Sequence, residues 1–118
     1  MTYKDLDVYK RSYNLALKIH RFSLTLPKEL QYDLGDQIRR ASRSIPSNIA
    51  EGYSRNKSDK DKVNFLNDAL GSNEEMIFNL EFMRDTKLIS TNQFEKLFEE
   101  HVICGKQLYK LTGTLKKK

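Results

Sequence analysis

Apolar residues return every three or four positions along almost the whole of this chain, and very little interrupts them. Among its 118 residues are two prolines, Pro27 and Pro46, and five glycines. A 3.6-residue period sustained over long runs is the mark of amphipathic helices, and a chain this poor in turn formers lacks the punctuation of a β fold. Charged residues at 31 % and hydrophobic ones at 38 % suit long helices with one buried side. The length predicts one domain, residues 1–118, able to bury a core without a disulfide or metal staple.

Four helical segments follow from the period. The first is expected over 6–24 with Asp5 as its N-cap. Leu6, Tyr9, Tyr13, Ala16 and His20 share one strip of it, and Val8, Leu15, Ile19 and Phe22 the neighbouring strip. The second is expected over 36–54, preceded by a helical turn opened by Pro27 and a turn near Gly35. Its inner side carries Ile38, Ala41, Ile45, Ile49 and Gly52. The third runs over 59–86 behind a Ser58/Asp61 capping box. Val63, Leu66, Leu70, Ile77, Leu80 and Met83 form its apolar side, and Gly71 and Ser72 give room for a neighbouring backbone. The fourth starts after Ser90, whose partner is Gln93, and carries Phe94, Leu97, Phe98, Ile103, Leu108, Leu111 and Leu115, with fraying expected at Gly113. Short connections make consecutive helices antiparallel neighbours. The fold class is therefore all-α, an up-down antiparallel four-helix bundle with its second helix kinked at Pro46.

The stretch RRASRSIPSNIAEGYSR, residues 39–55, concentrates the unusual chemistry. Pro46 removes an N–H, frees the Ser42 carbonyl and bends the helix, and the hydroxyls of Ser42, Ser44 or Ser47, or water, are the candidates to satisfy the freed group. The bend either wraps a neighbouring helix or shapes a subunit interface. Asn48, on the inner strip, needs hydrogen-bond partners, for which Ser44, Ser72 and Glu75 are candidates. Glu51 and Arg55 are spaced as an i, i+4 surface bridge. Net charge is +5, and Arg39, Arg40, Arg43, Arg55 and Lys57 hold most of the excess in one stretch, with Lys116, Lys117 and Lys118 as a second block. Basic side chains beside Tyr53 suit phosphate contacts and base stacking. The same five residues suit equally a solvated face or one that meets acidic residues of another subunit.

Catalytic and cofactor signatures are missing. His101 and Cys104 stand at i, i+3, but Phe98 occupies the position a Glu-x-x-His pair requires, and His20 reads as a packed residue with a polar tip. LGSNEE has no lysine after its glycine and lies inside a helix, so no phosphate-binding loop is present. The reading is of no enzyme, no cofactor and no small-molecule substrate. A lone Cys104 and a charged start predict the cytoplasm, and no apolar run approaches the ~18 residues of a membrane span.

The run LGDQIRRASRSIPSNIAEGYSR resembles the signature of the bacterial 23S rRNA intervening-sequence protein family. YKDLDVYKRSYNLALKIH near the start, the LP before the second helix and FLNDALGSNEE in the third agree with it, over roughly residues 3–85. Asp33 stands where a glycine is usual, Arg43 where many members have a small or apolar residue, and Asn73 where an apolar one is common. The resemblance implies a homopentameric ring of four-helix bundles with no established enzymatic activity. It also implies kinship with the accessory variability determinant of diversity-generating retroelements, which works with a reverse transcriptase and is thought to contact nucleic acid. Two readings follow. One is a ring-forming adaptor engaging RNA, DNA or a nucleic-acid enzyme through the basic patch. The other is a structural or protein-binding oligomer whose arginines serve subunit contacts.

Overall fold

The computed structural model describes residues 2–117, and among these it holds four long helices and no strand. They are α1 (Asp7–Ser23), α2 (Leu34–Gly52), α3 (Asp59–Asp85) and α4 (Thr91–Lys116), with 3₁₀ turns at Tyr3–Asp5 and Lys28–Leu30. Each helix packs on the next and α1 also meets α4, which closes the bundle. Buried positions repeat at alternating spacings of three and four: Val8, Ser12, Leu15, Ile19 and Phe22 in α1, and Leu66, Ala69, Asn73, Met76, Leu80 and Met83 in α3. That 3.5-residue repeat keeps one seam on the partner helices and suits packing near 20° from antiparallel.

The helix ends explain most boundary differences. Asp5 does not cap α1. Its carboxylate instead accepts from the Thr2 N–H at 2.9 Å, closing a capping box around the first 3₁₀ turn, and α1 starts after Leu6. Pro27 opens the second 3₁₀ turn as expected, but α2 begins at Leu34, so Gly35 lies within its first turn. A Cβ on Gly35 would stand 3.1 Å from Arg39 Nη1 and 3.2 Å from the Leu30 carbonyl, which is the close approach that glycine permits here. Ser58 and Asp61 form the expected capping box, and Ser90 Oγ accepts from the Gln93 N–H at 3.2 Å. After α3 the Leu88 N–H reaches the Met83 carbonyl and the Lys87 N–H the Arg84 carbonyl, a Schellman stop with Lys87 at φ 62 where glycine is commonest.

Three further expectations change. Helix α2 runs continuously through Pro46. No hydroxyl of Ser42, Ser44 or Ser47 donates to the Ser42 carbonyl, since Ser42 Oγ turns to Arg39 O and Ser44 Oγ to Ser72 Oγ. Gly71 has nothing within 4 Å of where its Cβ would be, whereas a Cβ on Gly105 of α4 would stand 3.0 Å from Asn73 Nδ2. Gly113 does not end α4, which continues to Lys116.

Candidate interaction site

The five basic residues of the central stretch do not make one patch. Arg39 turns into the connection between α1 and α2. Its guanidinium donates to Ser23 Oγ at 2.9 Å, to Gln31 Oε1 at 3.3 Å and to the Gln31 carbonyl at 2.7 Å. Gln31 Nε2 in turn donates to the carbonyls of Ser23 and Leu26, both at 2.9 Å. Arg39 is thus a clamp on a loop that would otherwise leave several carbonyls unpaired. Arg40 points outward and pairs with Asp36 at 3.1 Å. Lys57 reaches Glu51 at 3.9 Å and lies over the Phe65 ring at 5.0 Å, so Glu51 serves Lys57 instead of Arg55. Arg43 and Arg55 are exposed, without an ion pair or side-chain hydrogen bond among the described residues. Arg39 to Gly52 alone spans about 20 Å of helix, so the two ends of the stretch face different surroundings.

The polar residues join α2 to α3. Asn48 is half-buried; its amide donates to the Ser44 carbonyl at 2.9 Å and to Ser44 Oγ at 3.0 Å, and Ser44 Oγ meets Ser72 Oγ at 2.8 Å. Ser72 therefore fulfils its expected role, whereas Glu75 is exposed and outside the network. The deeper polar cluster is one that the sequence reading missed. Asn73 donates to the His101 carbonyl at 2.9 Å, and His101 Nδ1 lies 2.7 Å from the Leu97 carbonyl, so this nitrogen carries the proton and Nε2 is left as an unpaired acceptor. His101 is 0 % exposed, whereas His20, expected to be packed, is exposed. Burial pushes the His101 pKa down and the Cys104 thiol up to about 12. His101 and Cys104 are both fully buried in the core, and no group of three or more His, Cys, Asp or Glu able to hold a metal stands among the described residues. The signal was available: 94, 97, 101, 104 and 108 follow the same three-four alternation as the other helices, all of them buried.

Two outer surfaces stand out. Between α1 and α2 lies an open groove of about 340 Å³, lined by Tyr9, Tyr13, Leu17, His20, Arg43 and Pro46 among others, with no acidic residue in its wall. Tyr9, Tyr13, Ala16 and His20 of the strip expected to pack inside thus line this groove, with Tyr13 exposed, while Leu6 borders a different cavity. On α3, Phe78 is 65 % and Phe82 49 % exposed. Glu74, Glu75 and Glu81 flank them without an ion pair among the described residues, while Asp85 is paired with Arg84 at 2.9 Å. A third feature is at one end of the bundle, where Lys116 and Lys117 end α4; Lys118 lies outside the described residues. None of the helices is long and apolar enough to cross a membrane.

The family model of the 23S rRNA-intervening sequence protein matches residues 4–110. Among solved structures, a protein of unknown function from the S23 ribosomal protein family of Bacteroides thetaiotaomicron VPI-5482 is similar at a TM-score of 0.82 and 28 % identity. The match covers 90 % of this chain and 95 % of that one. No curated protein matches the chain. With the bundle, the IPSNIAEG helix and a family match over nearly its full length, the chain belongs to the 23S rRNA-intervening sequence protein family.

Proposed function

We propose that this protein is a non-enzymatic scaffold that assembles head to tail, the α1–α2 groove of one copy receiving the outer stripe of α3 from the next. The observation that supports this most is the complementarity of the two surfaces. The groove is apolar and bordered by Arg43 and His20, and the stripe sets Phe78 and Phe82 beside the unpaired acids Glu74, Glu75 and Glu81. Tyr9 to His20 and Glu74 to Asp85 each span about 17 Å of helix, so the lengths agree as well. Isolated exposed apolar side chains are ordinary, but two matched apolar strips of opposite charge are the usual makings of an interface.

Different patches meeting one another make a heterologous contact, which closes into a ring when the rotation between copies allows it. Five copies is the number that the family resemblance suggests. In this reading Arg43 and Glu75 act at the subunit contact, Pro46 shapes the groove floor, and the cytoplasm is the site of assembly. An adaptor role toward nucleic acid would then use a surface outside the contact.

Mixing two defective variants tests the arrangement. Tyr13→Glu spoils the groove and keeps the stripe, and Phe78→Glu does the opposite. Each alone should run as a helical monomer by light scattering behind size exclusion. Mixed, they should form a dimer and stop there, because one intact groove and one intact stripe remain. Full-size assemblies from either variant, or no dimer from the mixture, would contradict the proposed contact.

A further inference from the structure

The net charge of this protein is concentrated along the bundle axis instead of being spread around it. Antiparallel packing brings the start of α1, the connection at 53–58 and the end of α4 to one end. Leu6, Asp7, Lys110 and Thr114 border a common cavity there, and the first 3₁₀ turn packs on α2. The half of the bundle at this end comprises 2–15, 44–72 and 104–117, with 11 Lys and Arg against 6 Asp and Glu. The other half, 16–43 and 73–103, has 9 against 10.

Pairing sharpens the imbalance. Asp5 and Asp61 are occupied by backbone N–H groups, Asp59 pairs with Lys62 and Glu51 with Lys57. Lys4, Arg55, Lys60, Lys110, Lys116 and Lys117 are exposed and form no ion pair among the described residues. Of the six acids at this end only Asp7 and Asp68 have no such partner among the described residues, against these six unpaired cations. The transverse extents of the molecule are 23 and 20 Å, which set the width of the basic end.

We infer that this end of the bundle is a contact surface for the phosphate backbone of a nucleic-acid duplex. The aromatic rings nearest to it are already covered: Tyr53 lies beneath Lys62 at 5.2 Å, Phe65 beneath Lys57 at 5.0 Å, and Tyr3 meets Tyr9 edge-on at 4.9 Å. Tyr109, an exposed ring on α4, is about 10 Å back along the helix from Lys116. Single strands are held by stacking bases on open rings, and the open rings of this half, Tyr13 and Tyr109, stand about 10 Å back from its tip. A duplex needs only cations, and about 20 Å of it carries roughly a dozen phosphate charges. The surface lies at the end of the bundle, apart from the groove and the α3 stripe, so the inference stands or falls separately from head-to-tail assembly.

The test is fluorescence anisotropy of the whole protein with RNA and DNA duplexes and the matching single strands, over roughly 50–300 mM salt, where log affinity for a duplex falls by about 0.9 per neutralised phosphate. Duplexes should bind more tightly than single strands. Replacing Arg55, Lys60, Lys116 and Lys117 together by Gln should flatten the slope by up to about 3.6, and Lys116 and Lys117 alone by up to about 1.8, with helicity unchanged. Arg40→Gln should leave the slope as it is. The inference is overturned by no duplex binding at the lowest salt, by tighter binding of single strands, by an unchanged slope in both lysine variants, or by binding to anionic vesicles alone.

Discussion

Two helix glycines set up an internal comparison of packing against propensity. Gly71 and Gly105 both lie well inside helices, where alanine is better than glycine by about 0.8–1 kcal/mol. Around Gly71 there is open space, so Gly71→Ala should stabilise the protein by roughly that amount, or about 4 °C in Tm for a chain of this length. At Gly105 the added Cβ would stand 3.0 Å from Asn73 Nδ2. That nitrogen is the donor of the buried 2.9 Å bond to the His101 carbonyl, and Asn73 Oδ1 has no partner that could compensate. Asn73 is 1 % exposed and has little room to retreat. Stretching or breaking its bond costs about 1–3 kcal/mol, which cancels or exceeds the propensity gain. Gly105→Ala should therefore fall about 1–3 kcal/mol below Gly71→Ala in urea unfolding at one fixed protein concentration. In an Asn73→Ala background the gap between the two glycine variants should close. Equal stabilisation by both substitutions in the native background would refute the argument that Asn73 is pinned.

Three further outcomes follow from the buried polar groups and from the proline. His101 is held neutral, its pKa lowered first by burial, against weaker opposing effects of the Leu97 carbonyl and Glu100. The unfolded chain therefore takes up a proton that the fold refuses. Stability should be complete above the ordinary histidine value and decline as pH falls below about 6.5, by at most about 1.4 kcal/mol per pH unit, and His101→Leu should remove that decline in urea midpoints between pH 7.5 and 5.5. Arg39→Met should cost about 2–3 kcal/mol, because the carbonyl of Gln31 and the connection it belongs to lose their donor, and faster hydrogen exchange at 24–33 should accompany the loss. Pro46→Ala restores a helical N–H to the Ser42 carbonyl, so circular dichroism should show undiminished helicity, while the altered groove wall should weaken assembly by light scattering; unchanged assembly would reduce Pro46 to local packing.

The sequence showed the helices well because their signal is periodic and local. Ile38, Ala41, Ile45, Ile49 and Gly52 are all buried as expected, and the Ser58 and Ser90 starts were readable from capping chemistry. What failed was the assumption that apolar means inside and polar means outside. Tyr13, placed on a packed strip, is outside, while Ser12, Asn73, Asn79 and His101 occupy core positions. Spacing alone would have placed His101 inside, since it falls in step with Leu97, Cys104 and Leu108. The arginine cluster misled for a different reason. Side chains one turn apart on a helix are neighbours, but only the fold reveals that Arg39 reaches across to Ser23 and Gln31, sixteen and eight residues away, while Arg40 stays with Asp36. The basic end was equally hidden, because its charges come from segments that only antiparallel packing brings together.

Head-to-tail assembly through the α1–α2 groove is the central claim, and the mass of the unmodified protein in solution addresses it most directly. Light scattering behind size exclusion should give one closed multiple of the 13.9 kDa chain that stays constant across micromolar concentrations, with five copies corresponding to about 70 kDa. A mass of 13.9 kDa at every concentration would contradict it.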